Sequence, residues 1–140
     1  MATFNKFDSF VEALAEKKHD LGADTLKVML TLTAPISTNA VKADLTEIAE
    51  GNGYTAGGNT ATITSSAQTS GTYKLVLADP ATWTATGGAI ANFRYAVLYN
   101  DTALNKELIG YWDYGSTVTL NANETFKVDF DPTTGVLTVA

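Results

Sequence analysis

Cysteine is absent from these 140 residues, so neither a disulfide nor a thiolate metal site can staple the fold or carry redox chemistry. Arginine and histidine occur once each, as Arg94 and His19. One arginine and a formal net charge of −6 exclude the basic footprint that grips a phosphate backbone, so no nucleic acid is expected as a partner. No stretch approaches the ~20 apolar residues of a membrane span, and the first residues lack the apolar core of a signal peptide. No membrane partner and a cytosolic origin are therefore expected.

What the chain does have is alternation. Phe93, Tyr95, Val97 and Tyr99 fall on one parity and Arg94, Leu98 and Asn100 on the other; Phe126, Val128 and Phe130 alternate with Thr125, Lys127 and Asp129. Side chains of a strand point to opposite faces with period two, so this spacing describes strands packed on a core from one side. Leu26, Val28, Leu30 and Leu32 alternate in the same way up to Ala34-Pro35, a strand end. Further strands are expected at residues 60–65 and 73–78, at 108–114 and 117–120, and at 125–130 paired through a turn with 136–139. About eight strands at regular spacing suit a sandwich or jelly roll.

The N-terminal part reads differently. Phe4, Phe7, Val11, Leu14 and Leu21 follow helical spacing, with Ser9 and Glu12 placed for a capping box and Gly22 for the C-terminal cap. At 140 residues one domain is expected over 1–140: a helix over 3–21, then a sandwich over 24–140. Residues 36–58 form a long loop, with a short helical turn expected over 44–50, and such a connection is usually functional or packed down. Gly51, Gly53, Gly57 and Gly58 surround Tyr54 in it, a composition that permits positive φ beside one aromatic anchor.

Chemistry-bearing constellations are few. His19 lies where it would cap or complement a helix C-terminus, and no Gly-x-Ser-x-Gly elbow accompanies the serines. The 51–58 glycines lack the order and the strand-to-helix context of a phosphate loop. Asp129-x-Asp131-x-Thr133-x-Gly135 begins like a calcium loop, but its glycine is one place late and Ala140 stands where the bidentate Glu belongs, so a turn is expected. Neither metal nor cofactor is expected. Tyr111-Trp112-Asp113-Tyr114 places aromatics on both faces of one strand, giving core packing, a sugar platform or a protein contact as its readings. A two-carboxylate hydrolase built on Asp113 and Asp129 would need a cleft geometry that no spacing indicates.

The segments 45–58, 83–88, 93–100, 108–115 and 125–130, with Lys27-Val-Met-Leu-Thr31 and Ala34-Pro35, resemble a class of small tailed-phage structural proteins. The likeness covers nearly the whole chain and is nearest to capsid decoration, or cement, proteins. It implies a jelly-roll-like antiparallel sandwich, not an enzyme, assembled in the host bacterial cytoplasm and localised to the virion. The implied partners are the major capsid protein and further copies of the chain, as a dimer or trimer. Related domains serve in tails or fibres, with receptor or carbohydrate binding as the alternative. Tyr54, Trp83, Tyr111 and Trp112 are the expected protein-interface anchors.

Overall fold

Leu26, Val28 and Leu30 belong to the strand β2 (Leu26–Thr31), and so do the intervening Met29 and Thr31, all of them fully buried. A strand buried on both faces needs cover from two sides. The computed structural model, which describes residues 2–140, supplies both covers. β2 sits in a five-stranded antiparallel sheet with β1 (Asn5–Lys6), β3 (Asn59–Ala61), β7 (Ile90–Asn100) and β8 (Leu108–Leu120), ordered β1-β8-β7-β2-β3. A second sheet joins β4 (Ile63–Thr69), β5 (Thr72–Leu77) and β10 (Leu137–Val139), ordered β10-β5-β4. A third pairs β6 (Trp83–Thr84) with β9 (Thr125–Phe126). The protein is mainly β, an antiparallel sandwich-like fold with one short helix, α1 (Ser9–Ala15).

The larger core gathers Val28, Leu30, Ala96 and Leu98 from one face of the main sheet with Leu75, Leu77 and Leu137 of the second. The smaller core lies on the opposite face, where Phe7, Met29, Val97, Tyr99 and Leu108 meet under Leu45 and Tyr111. The one-sided sheet that alternation predicts is therefore two-sided, and residues 36–58 are the reason. This loop starts along β8, where Leu108 N–H donates to Ala40 O and Lys42 N–H to Lys106 O, and reaches β2, where Ile48 N–H donates to Leu30 O. It thus straps the second face. The helical turn expected over 44–50 is instead a 3-10 turn at Lys42–Asp44, held by Asp44 Oδ2 accepting from Ala40 and Val41 N–H.

The helix expected over 3–21 is the element most revised. Phe4 and Phe7 flank β1, which pairs with β8 (Asn5 with Tyr111, Lys6 with Gly110), so their three-residue spacing is not helical. The buried residues of α1 are Phe10 and Ala13, while Val11 is about half exposed. Ser9 makes no cap, since Asp8 stands at the N-cap without a side-chain bond. At the other end Lys17 has φ 64°, its N–H donates to Leu14 O, and Lys18 N–H donates to Ala13 O. That is a Schellman stop five residues before Gly22, with lysine in the left-handed position. Lys17→Gly is expected to stabilise the fold by about 1 kcal/mol, read as a higher urea midpoint at unchanged slope.

Two further expectations change. Residues 108–120 form one strand rather than two, and residues 125–130 and 136–139 do not pair with each other, since β9 joins β6 and β10 joins β5. Irregular register in β7 on both sides of Phe93 turns that ring into the larger core, away from the Val97 and Tyr99 face. The remaining hairpin is tighter than expected: β4 and β5 meet at Thr69 and Thr72 through Ser70-Gly71.

Candidate functional site

Tyr95 pairs with Asp113 and Phe93 with Val118, so residues 114–117 of β8 stand opposite Arg94 alone. Surplus residues on one strand must bulge, and Gly115 at φ 100° lets this one turn. Asp113 anchors its start. Its carboxylate accepts from Arg94 Nε (2.7 Å) and Nη2 (2.9 Å) and from Gly115 N–H (2.8 Å). The Arg94 guanidinium, followed by the Gly115 N–H, holds the Asp113 carboxyl below its ordinary range. A general acid needs the opposite shift, so Asp113 is built as an ion-pair partner rather than the proton donor of a two-carboxylate hydrolase.

Beside the bulge lies a groove of about 320 Å³. Phe4, Trp112, Tyr114, Phe126 and Phe130 line it, with Arg94, Lys127, Asp129 and Asp131 at its polar margin. Trp112 packs against Phe4 (5.2 Å between ring centres) and Phe130 (5.4 Å), while Tyr114 meets Phe126 edge-on (5.9 Å) and is 60% exposed. Aromatic walls with a few polar groups at the margin are the ordinary make-up of a binding site. The Asp131 turn closes one end: Asp131 Oδ1 accepts from Thr133 N–H (2.7 Å) and its carbonyl accepts from Gly135 N–H (2.9 Å). Among the described residues, no three or more His, Asp or Glu come together as a metal site.

The four expected anchors separate into two pairs. Tyr54 and Trp83 are each 1% exposed, so neither ring can meet a partner in this fold. The Tyr54 hydroxyl donates to Glu47 Oε1 (2.6 Å) and accepts from Leu30 N–H (3.1 Å), which ties the strap to β2. Glu47 also accepts from Gly57 N–H (2.6 Å) and Lys42 Nζ (2.7 Å). Burial, reinforced by the Glu47 bond, pushes the Tyr54 hydroxyl far above its usual range, so it stays a neutral donor. Trp83 stacks on Tyr54 from across the larger core. Tyr111 and Trp112 are half-buried: Tyr111 packs on the smaller core and Trp112 lines the groove. Sequence spacing missed Phe4, Arg94, Phe126 and Phe130 as groove residues, because only the fold brings the two ends of the chain together.

His19 does not take the place at a helix C-terminus expected of it. It is 4% exposed and sits in a polar cluster with Asn100, Asp24 and Glu107. Asn100 Oδ1 accepts from Thr102 and Ala103 N–H, which fixes its amide, so Nδ2 is the donor to Asp24 Oδ2 (2.6 Å) and to His19 Nδ1 (3.0 Å). His19 is then neutral with its proton on Nε2. Burial lowers its pKa below the ordinary 6.5, against the raising influence of Glu107 and Asp24, with Lys18 adding to the lowering. The unfolded chain thus takes up a proton before the folded one. The stability that neutral His19 contributes is complete above pH 6.5 and is lost as pH falls through that value toward the lower folded pKa. Urea midpoints are expected to drop between pH 7 and pH 5, and less steeply in His19→Gln; parallel slopes would contradict this.

No family model, curated protein or solved structure matches the chain.

Proposed function

We propose that the chain is a phage virion structural protein, a capsid decoration protein that binds the major capsid shell and stabilises the head as a homo-oligomer. The observation that carries the reading is where its exposed apolar side chains lie. Leu104, 94% exposed, tops the turn between β7 and β8; Ile36, 60% exposed, begins the strap; Tyr114 stands on the β8 bulge. Both faces of the main sheet are occupied internally, so contacts with neighbours fall to these turns and edges. As single apolar side chains on separate turns and edges, these give a protein that bridges neighbours in a shell its anchor points, one to each contact. The resemblance of nearly the whole chain to small tailed-phage structural proteins points the same way, and the net charge of −6 keeps an outer protein off packaged DNA.

The test is to incubate the purified protein with undecorated heads of the encoding phage and image them by electron cryo-microscopy. Density repeating with the shell symmetry at one copy number per site is the expected result. The competing role, a tail or fibre component that binds a receptor or carbohydrate, draws on the aromatic groove. Trp112 is already packed against Phe4 and Phe130 there, which leaves Tyr114 as the open ring for a sugar.

A further inference from the structure

We propose that the groove between β8 and residues 126–136 receives an extended peptide strand of a protein partner, apolar at alternate positions and carrying a lysine or arginine. The inference does not depend on whether the protein belongs to a head or a tail.

Its first support is a strand-like run without a neighbour. Phe126 and Val128 are half-buried and Phe130 is buried, while Lys127 and Asp129 are exposed, the alternation of a strand lying on a core. Yet the ladder ends at Phe126, and Lys127, Val128 and Asp129 make no backbone–backbone hydrogen bond with any described residue. Unpaired donors and acceptors on an extended run form a template for another strand, which supplies affinity through the main chain. On the other side of the groove, the cover that β1 and Phe7 give the outer edge of β8 reaches no further than Tyr111. Between them, Phe4, Trp112 and Tyr114 offer an apolar floor for the strand's inward side chains.

Charge selects the occupant. Arg94 is matched by Asp113, and Lys127 by Asp79 at 3.1 Å. Asp129 has no hydrogen bond or ion pair among the described residues and feels only the field of the adjacent Lys127, while the Asp131 carboxylate caps its own turn with Lys74 nearby. Four carboxylates, Asp79, Asp113, Asp129 and Asp131, thus face three cations, Arg94, Lys127 and Lys74, and a basic residue on the incoming strand balances the one surplus negative charge. A neutral sugar, although its hydroxyls can bond single backbone groups and carboxylates, brings neither a counter-charge nor a main chain that matches the run residue by residue.

The experiment pans a random dodecapeptide display library on the full chain, then maps one enriched peptide by amide chemical shifts of the isotope-labelled protein. Enriched sequences are expected to be poor in proline, alternately apolar and basic, and to move the amides of Val128 and Asp129. Asp129→Lys, an exposed change at an unpartnered side chain, should weaken that peptide about threefold or more and turn the selection toward acidic sequences. A circular dichroism spectrum like that of the wild type establishes that this variant is folded. Failure to enrich any peptide, enrichment of proline-rich or acidic ones, or shifts confined to other surfaces would overturn the proposal. So would movement of the same amides by chitotriose or maltotriose in place of a peptide.

Discussion

Gly58→Ala is expected to destabilise the fold by about 3 kcal/mol or more, whereas Gly71→Ala should cost only about 1 kcal/mol. Both glycines have positive φ, 76° and 85°, so the intrinsic cost of a left-handed alanine is common to the two. Their surroundings differ. A methyl group at Gly58 would overlap the Val28 carbonyl oxygen and lie 2.8 Å from Met29 Cα, which is backbone of β2 and cannot swing aside. At Gly71, on the β4–β5 turn, nothing lies within 4 Å. Forced overlap adds roughly 1–3 kcal/mol to the backbone cost. Urea denaturation of the two variants side by side measures the difference. Equal losses would mean that the strap does not press on β2 as described.

Trp83→Ala should cost about 3–5 kcal/mol, because the indole fills the larger core between Tyr54 and Phe126 and little around it can collapse into the space. Trp83→Phe should cost less, since it retains most of the volume and removes an indole N–H that has no partner among the described residues. Denaturant midpoints for both variants test the assignment of this ring to the interior. A surface anchor would behave in the opposite way: its loss would leave stability unchanged and weaken binding.

Period-two spacing located β2 and β7 well, because local alternation depends only on which parity is apolar. It could not reveal that β2 is buried on both faces. Met29 and Thr31 look like the outward parity of a one-sided strand until the strap is seen to cover them. The N-terminal misreading has a similar cause: Phe4 and Phe7 share a three-residue spacing with a helix, but the free edge of β8 at Gly110 and Tyr111 takes up Asn5 and Lys6 as a strand. Residues 125–130 and 136–139 are neighbours in sequence with a good turn between them. Each nevertheless finds its ladder elsewhere, and pairing choice of this kind is a tertiary property that propensity does not encode.

The functional residues divide along the same line. Trp112 and Tyr111 were legible as aromatics on one strand, and both keep some exposure. Tyr54 and Trp83 looked equivalent to them by composition, but the glycines around Tyr54 fold the strap so that its hydroxyl reaches Leu30 and Glu47 inside. The groove itself had no signature in the spacing, for it joins Phe4, Trp112 and Phe130 from distant parts of the chain. Arg94 was visible as the only arginine, yet its role beside the β8 bulge follows from register alone.

Co-sedimentation of the folded protein with undecorated heads, alongside Leu104→Asp, tests the proposed role most directly. Leu104 is 94% exposed, so the substitution should change stability by no more than about 0.5 kcal/mol. The expected result is saturable binding of the wild type at a fixed ratio to shell subunits and clear weakening in Leu104→Asp. Wild-type protein that remains folded and stays in the supernatant at every head concentration would contradict the account.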